Sequence, residues 1–133
     1  MAFPTHRPRR LRTTPAVRRL VAETRLGVDD LIAPLFVREG IDAPLPIDSM
    51  PGVVQHTVDS LVKEVGELAS LGIPAVILFG VPAGKDAVGS GASDPDGIVQ
   101  VALAELRGRF GDEIVLMADL CLDEYTDHAP CGI

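Results

Sequence analysis

Three short apolar runs, Leu31–Val37, Ala75–Gly80 and Ile114–Ala118, punctuate this 133-residue chain at intervals wide enough for a helix between each pair. Runs of this length bounded by polar and turn residues predict strands covered on both faces, as in a parallel sheet. The first contains Pro34, which lacks a ladder donor and predicts a bulge or an edge at that point. Between the first and second runs, Val58, Leu61, Val62, Val65, Leu68 and Ala69 fall on one helical stripe. Thr57 is placed to cap that helix, Gly72 to stop it, and Pro74 to bar its continuation. Between the second and third, Ile98, Val101, Ala102, Leu106 and Phe110 make another stripe, with Asp94 as predicted cap, Pro95 at the first helical position and Gly111 at the end. A proline- and glycine-rich connection over 41–56 leaves room for one short strand pair.

Strand, helix, strand, helix, strand predicts right-handed βαβ units and an α/β fold with a parallel sheet. The two architectures built this way are the open doubly wound sheet and the (βα)8 TIM barrel. No Gly-x-Gly-x-x-Gly turn follows the first strand, which counts against a dinucleotide-binding sheet. A barrel needs about 200 residues or more, so this chain is expected to hold only the N-terminal part of one, about three βα units. The partial barrel would occupy 29–133, behind a basic arm with a short helix at 1–28. Its third strand would have an unpaired edge and its faces would lack covering helices, which favours association.

The arm stands out by charge. The net charge is −7, yet the first 25 residues hold seven arginines against one glutamate, or +6, leaving five basic against eighteen acidic residues, or −13, for the rest. Thr14-Pro15 opens a predicted helix running through Ala16 to Ala22, and the residues before it lack periodicity. A basic arm on an acidic body is expected to wrap a neighbouring subunit. Phe3 is its sole aromatic residue, and no nucleic-acid-binding fold follows, so nucleic acid is not the expected partner. No apolar run approaches the roughly 20 residues of a membrane helix, and the N-terminus lacks the apolar core of a secretory signal. A soluble protein of the reducing cytoplasm is the expectation.

Chemistry concentrates after the third run. Within Asp119-Leu120-Cys121-Leu122-Asp123-Glu124-Tyr125-Thr126-Asp127-His128-Ala129-Pro130-Cys131-Gly132-Ile133 lie both cysteines of the chain and four acidic residues. A buried strand that delivers titratable groups at its C-terminal end is how an α/β site begins. Cys121, Asp123 and Cys131 offer two thiolates and a carboxylate, a set suited to a catalytic zinc with one open position. Nine residues between the cysteines match no common structural zinc motif, so on spacing alone two unrelated cysteines are the favoured reading over a metal pair. Asp119 is either an active-site acid or the cap of the following turn. His128 reads as a loop residue, and Gly84-Lys85-Asp86 as a solvated loop lacking the Gly-Lys-Ser/Thr ending of a phosphate-binding loop. His6 and His56 stand alone and suggest no site.

The terminal stretch closely resembles the metal loop of the porphobilinogen synthase (δ-aminolevulinic acid dehydratase) family. Arg9-Arg10-Leu11-Arg12, Val21-Ala22-Glu23-Thr24, Asp30-Leu31-Ile32-Ala33-Pro34-Leu35-Phe36-Val37, Ser49-Met50-Pro51-Gly52-Val53 and Leu78-Phe79-Gly80-Val81-Pro82 with Lys85-Asp86 resemble the family's N-terminal third, in order. The resemblance implies a (βα)8 barrel whose arm wraps a neighbour, usually in a homo-octamer. It implies condensation of two 5-aminolevulinate molecules to porphobilinogen in tetrapyrrole (heme) biosynthesis, a hydro-lyase reaction. In zinc-type members three loop cysteines hold a zinc, Cys121 and Cys131 matching the first and third, and an aspartate at the position of Asp119 lies in the active site.

Departures from that pattern shape the expectations. Asp123 stands where zinc-type members have the middle cysteine, which moves preference toward magnesium while the thiolates favour zinc. Ala129-Pro130 replaces the family's Gly-His, and the fixed φ of proline bears on where Cys131 lies. The two lysines that the resemblance assigns to Schiff bases come from strands beyond residue 133, and neither Lys63 nor Lys85 matches them. The expectation is an N-terminal portion of the enzyme, inactive alone. The alternative is a non-catalytic metal-binding or assembly piece that associates with full-length subunits.

Overall fold

The computed structural model describes residues 9–128. After a 3-10 turn at Arg9–Arg12, helix α1 spans Pro15–Leu20. Thr14 caps it as predicted, its hydroxyl accepting the Val17 N–H at 3.2 Å. The helix stops two residues short of Ala22, and none of its side chains is buried to hold a further turn.

Strand β1 covers Ile32–Arg38. The connection after it carries the anticipated strand pair, β2 at Leu45–Pro46 and β3 at Val54–His56, joined antiparallel. Helix α2 is Val58–Ser70, β4 is Ala75–Val81, α3 is Ile98–Phe110 and β5 is Val115–Ala118. The sheet order is β2-β3-β1-β4-β5, with β3, β4 and β5 each parallel to the neighbour on its β1 side. Because the long strands step in one direction and α2 packs against α3, both crossovers lie on one face. Such single winding is the pattern of a barrel wall; a doubly wound sheet reverses direction and covers both faces.

Pro34 sits in this sheet without a bulge. Pairing between β1 and β4 runs unbroken from Ile32 opposite Ala75 to Arg38 opposite Val81. The Glu39 N–H donates to the Val81 carbonyl, so strand alternation turns the nitrogen of Pro34 to the other edge. There β3 pairs only with Phe36 and Val37, and at Pro34 no ladder donor is required. The predicted edge is therefore local, within a strand that is otherwise central.

The apolar runs predicted strands covered on both faces and the partial barrel predicted faces short of covering helices; among the described residues one face is covered and the other is open. Leu35 and Val37 of β1 and Val76 and Leu78 of β4 pack with Leu61 and Val65 of α2 and Val99, Ala102 and Leu106 of α3 in one core. On the opposite face, Ile32 is 50% and Val115 53% exposed, against 0% for Val37, while Phe36 and Phe79 meet at 5.4 Å. The continuous apolar runs encode two dry faces, but the helices among the described residues cover just one.

Helix α3 also departs from expectation. Asp94-Pro95 forms a turn in which Asp94 accepts the N–H groups of Asp96 at 2.9 Å and Gly97 at 3.0 Å, so Gly97, not Asp94, is the residue before the helix. A Cβ on Gly97 would lie 2.7 Å from Gln100 Oε1 and 3.0 Å from the Asp94 carbonyl, and this close turn requires glycine.

Candidate metal centre at the C-terminal end of the sheet

The parallel strands β1, β4 and β5 all end on one side, and the segments that follow them meet there. Beyond β4, Asp86 organises its own loop by accepting the backbone N–H groups of Val88 and Ser90 and the Ser90 hydroxyl. These bonds hold its carboxyl below the usual range, the Ser90 hydroxyl most of all. Its backbone bridges to the segment after β5: Asp86 N–H donates to the Tyr125 carbonyl at 3.2 Å, and Asp127 N–H to the Asp86 carbonyl at 3.1 Å. Lys85 reaches across to the Asp123 carbonyl at 3.3 Å. The Gly84-Lys85-Asp86 segment is a solvated loop, exposed at Gly84 and Lys85, that also clamps the terminal loop.

Tyr125 locks the same junction. It is buried over two glycines: a Cβ on Gly80 would lie 2.7 Å from its hydroxyl and 2.5 Å from Val99 Cγ2, and one on Gly91 3.2 Å from its ring. Burial, then the charges of Glu124 and Asp119, push its hydroxyl pKa up.

Clamped in this way, the chain after β5 brings Asp119, Cys121 and Asp123 together. One potential ligand atom from each lies within 4.8 Å of the others, and all three side chains are half-buried. An extended chain would spread residues i and i+4 by about 13 Å, so the bend and turn over 122–125 are what bring Asp123 back to Asp119 and Cys121. Asp119, assigned by the sequence to an acid or capping role, joins the metal candidates Cys121 and Asp123. Cys131, the remaining candidate, lies outside the described residues. His128 is exposed at the edge, its Nδ1 3.0 Å from an Asp127 carboxylate oxygen. Asp119 and Cys121 also line a cavity of about 310 Å³ with Val99, Leu103 and Tyr125.

Glu124 is the residue that sequence reasoning missed. Its carboxylate accepts the Gly80 N–H at 3.0 Å. Burial pushes its pKa up to about 7, the Gly80 N–H opposes that rise, Asp119 and Asp123 add to it, and Lys85 lowers it. The only sequence signal was a further carboxylate beside Asp123, and nothing in that adjacency tells a buried acid from a solvated one.

The donor set suits a divalent cation. Two carboxylates and a thiolate supply negative charge at separations that one ion can bridge, with the softer sulfur favouring zinc and the oxygens admitting magnesium. The molecule is therefore of the singly wound βα class, with a metal-competent acidic and thiol cluster where its strands end. A sequence profile described as Delta-aminolevulinic acid dehydratase matches residues 5–133. The chain belongs to the delta-aminolevulinic acid dehydratase family. It is 58% identical over 134 residues to the enzyme of that name from Streptomyces coelicolor, covering 99% of this chain and 41% of the relative. With the Mycobacterium tuberculosis enzyme it shares 54% identity, again over 99% of this chain and 41% of the relative. The crystal structure of the Toxoplasma gondii enzyme in complex with the reaction product porphobilinogen superimposes with a TM-score of 0.86 at 38% identity, covering 96% of this chain and 36% of that one. The chain thus spans about two fifths of the length of these relatives.

Proposed function

We propose that this chain is the metal-loop portion of a porphobilinogen synthase, the hydro-lyase that condenses two molecules of 5-aminolevulinate to porphobilinogen in heme biosynthesis. The observation that carries this proposal is the convergence of Asp119, Cys121 and Asp123 at the C-terminal end of β5 in a chain of this family. In this reading Cys121, Asp123 and Cys131 hold zinc, which when bound supplies positive charge to polarise a substrate carbonyl. Asp119, half-buried at the cavity wall, faces substrate and accepts a hydrogen bond or a proton from it. Tyr125 and Leu103 exclude water from that wall. The Glu124–Gly80 bond and the Lys85 and Asp86 clamp hold the loop in place, which is the orientation that such a reaction demands.

Schiff-base chemistry needs an amine held against the substrate carbonyl. Lys63 is exposed on α2, and Lys85 is engaged by the Asp123 carbonyl. The purified 133-residue chain is accordingly expected to form no porphobilinogen by itself; turnover free of host enzyme would refute that assignment of roles. The metal assignment is tested by zinc content after dialysis. The unaltered chain should retain zinc, Cys121→Ser should lose it, and Asp123→Cys, with a softer third ligand, should hold it more tightly. Thiolate ligation releases protons, so retention should fall below neutral pH. Equal retention in all three would show that these side chains are not the ligands.

A further inference from the structure

The hydrogen bond between Glu124 and Gly80 occupies a particular place in the sheet. In a parallel ladder each β5 residue that faces β4 donates its N–H to one β4 carbonyl, and its own carbonyl accepts the β4 N–H two residues further on. Val115 N–H donates to the Pro74 carbonyl at 2.8 Å and Asp119 N–H to the Leu78 carbonyl at 3.0 Å. The next β4 donor on that edge is Gly80, and its ladder acceptor would be the carbonyl of Asp119. Strand β5 ends at Ala118, and the Gly80 N–H finds Glu124 Oε2 at 3.0 Å instead.

Two further facts give this substitution consequence. Gly80 is buried, with Val99 and Tyr125 packed over its Cα, and a buried N–H is costly without an acceptor. Glu124 lies five residues past Asp119, and the chain between them must leave the strand direction and come back, which is the path that gathers Asp119, Cys121 and Asp123 within 4.8 Å. A backbone acceptor at Asp119 would instead continue β5 and carry Cys121 and Asp123 along the strand axis, away from that turn.

We propose that Glu124 is a positioning residue: its carboxylate caps the β4–β5 ladder at Gly80 and thereby sets the turn that brings Cys121 and Asp123 together as ligands beside Asp119. The consequence for metal binding rests on the reading of that cluster as a metal site; the cap itself does not. Partners that orient a ligand set typically change metal affinity by about 10- to 100-fold when removed. Glutamine keeps both the reach and an acceptor oxygen, whereas aspartate keeps the charge but is one methylene shorter. Reach and charge can therefore be separated.

The test uses the full chain, cobalt(II) as the metal probe, and amide exchange at Gly80 followed by NMR. Glu124→Gln should retain slow Gly80 exchange, cobalt affinity and the thiolate-to-cobalt absorption. Glu124→Ala and Glu124→Asp should both expose the Gly80 amide, weaken cobalt binding by about 10- to 100-fold and reduce that absorption; the aspartate variant serves alone if the alanine chain does not fold. Unchanged Gly80 exchange in the shortened variants would overturn the cap. Lost protection with unchanged cobalt binding would overturn its role in assembling the cluster. If the unaltered chain binds no cobalt, the metal reading fails, and the Gly80 exchange alone then decides whether Glu124 caps the ladder.

Discussion

At the residue scale, glycine and carboxylate share the work at the end of β4. Gly80 has no room for a methyl group, since a Cβ there would meet Val99 Cγ2 at 2.5 Å and the Tyr125 hydroxyl at 2.7 Å. Gly80→Ala should therefore cost about 1–3 kcal/mol of stability in urea unfolding, as overpacked cores do. Its effect should reach the loop, because the displaced side chain is the ring that seats it. Full stability in that variant would mean that Tyr125 shifts freely and does not anchor the junction. Titration provides a second handle on single residues. His56 is buried at the end of β3 with Nδ1 3.2 Å from the Ser60 hydroxyl, and burial lowers its pKa from the usual 6.5, with the charge of Glu64 opposing part of that shift. The unfolded chain then binds more protons just below pH 6.5, so stability should fall as pH drops from there through the lower folded value. His56→Gln should flatten that slope in urea midpoints measured between pH 8 and 5. Glu124 acts in the opposite sense: its pKa is raised from 4.5 to about 7, so its contribution is complete below 4.5 and lost as pH rises through about 7. The Glu124→Gln background isolates the histidine.

At the element scale, local chemistry sets where the helices begin and stop. Thr57 Oγ1 accepts the Ser60 N–H at 3.1 Å, and Gly72, at φ 84°, closes α2 with its N–H on the Ala69 carbonyl. Thr57→Ala should destabilise the chain by about 1 kcal/mol, checked by urea unfolding with the slope unchanged. Both features were legible in the sequence because a cap and a C-terminal glycine act within four residues of themselves. The start of α3 was not. Asp94-Pro95 satisfies the same local rule, yet the chain spends those residues on a turn beside the Asp86 loop and enters the helix at Ile98. Two local solutions of similar merit existed there, and tertiary packing chose between them.

At the scale of the whole molecule, two surfaces bear on assembly. The sheet face carrying Ile32 and Val115 has no covering helix among the described residues, and β5 has one ladder partner, β4. The N-terminal segment is basic against an acidic body, and no residue of its described helix α1 is buried. We propose that this arm wraps a neighbouring subunit, up to the homo-octamer implied by the resemblance. Deleting residues 1–25 should lower the oligomeric state in sedimentation, with helix content otherwise unchanged in circular dichroism. An unaltered oligomer after deletion would assign assembly to the open sheet face instead. No helix among the described residues is long and apolar enough to cross a membrane.

The sequence by itself determined the order and kind of the elements, the parallel sheet and the family. Each of these rests on periodicity, on caps, or on a motif dense enough to be matched residue by residue. It also singled out Cys121, Asp123 and Cys131 as metal candidates and Asp119 as an active-site acid or cap, because a dense run of such side chains after a strand is a local property; that Asp119 meets Cys121 and Asp123 came from the folded turn. Tertiary structure alone decided which face of the sheet the helices cover, that Lys85 and Asp86 clamp the loop, and that Glu124 replaces a backbone acceptor at Gly80. These depend on residues about forty positions apart approaching within hydrogen-bond distance. Burial of a charged group is a property of that approach, not of its neighbours in the chain: Asp123 and Glu124 are adjacent acids, and only the folded molecule separates a candidate ligand from the cap that positions it.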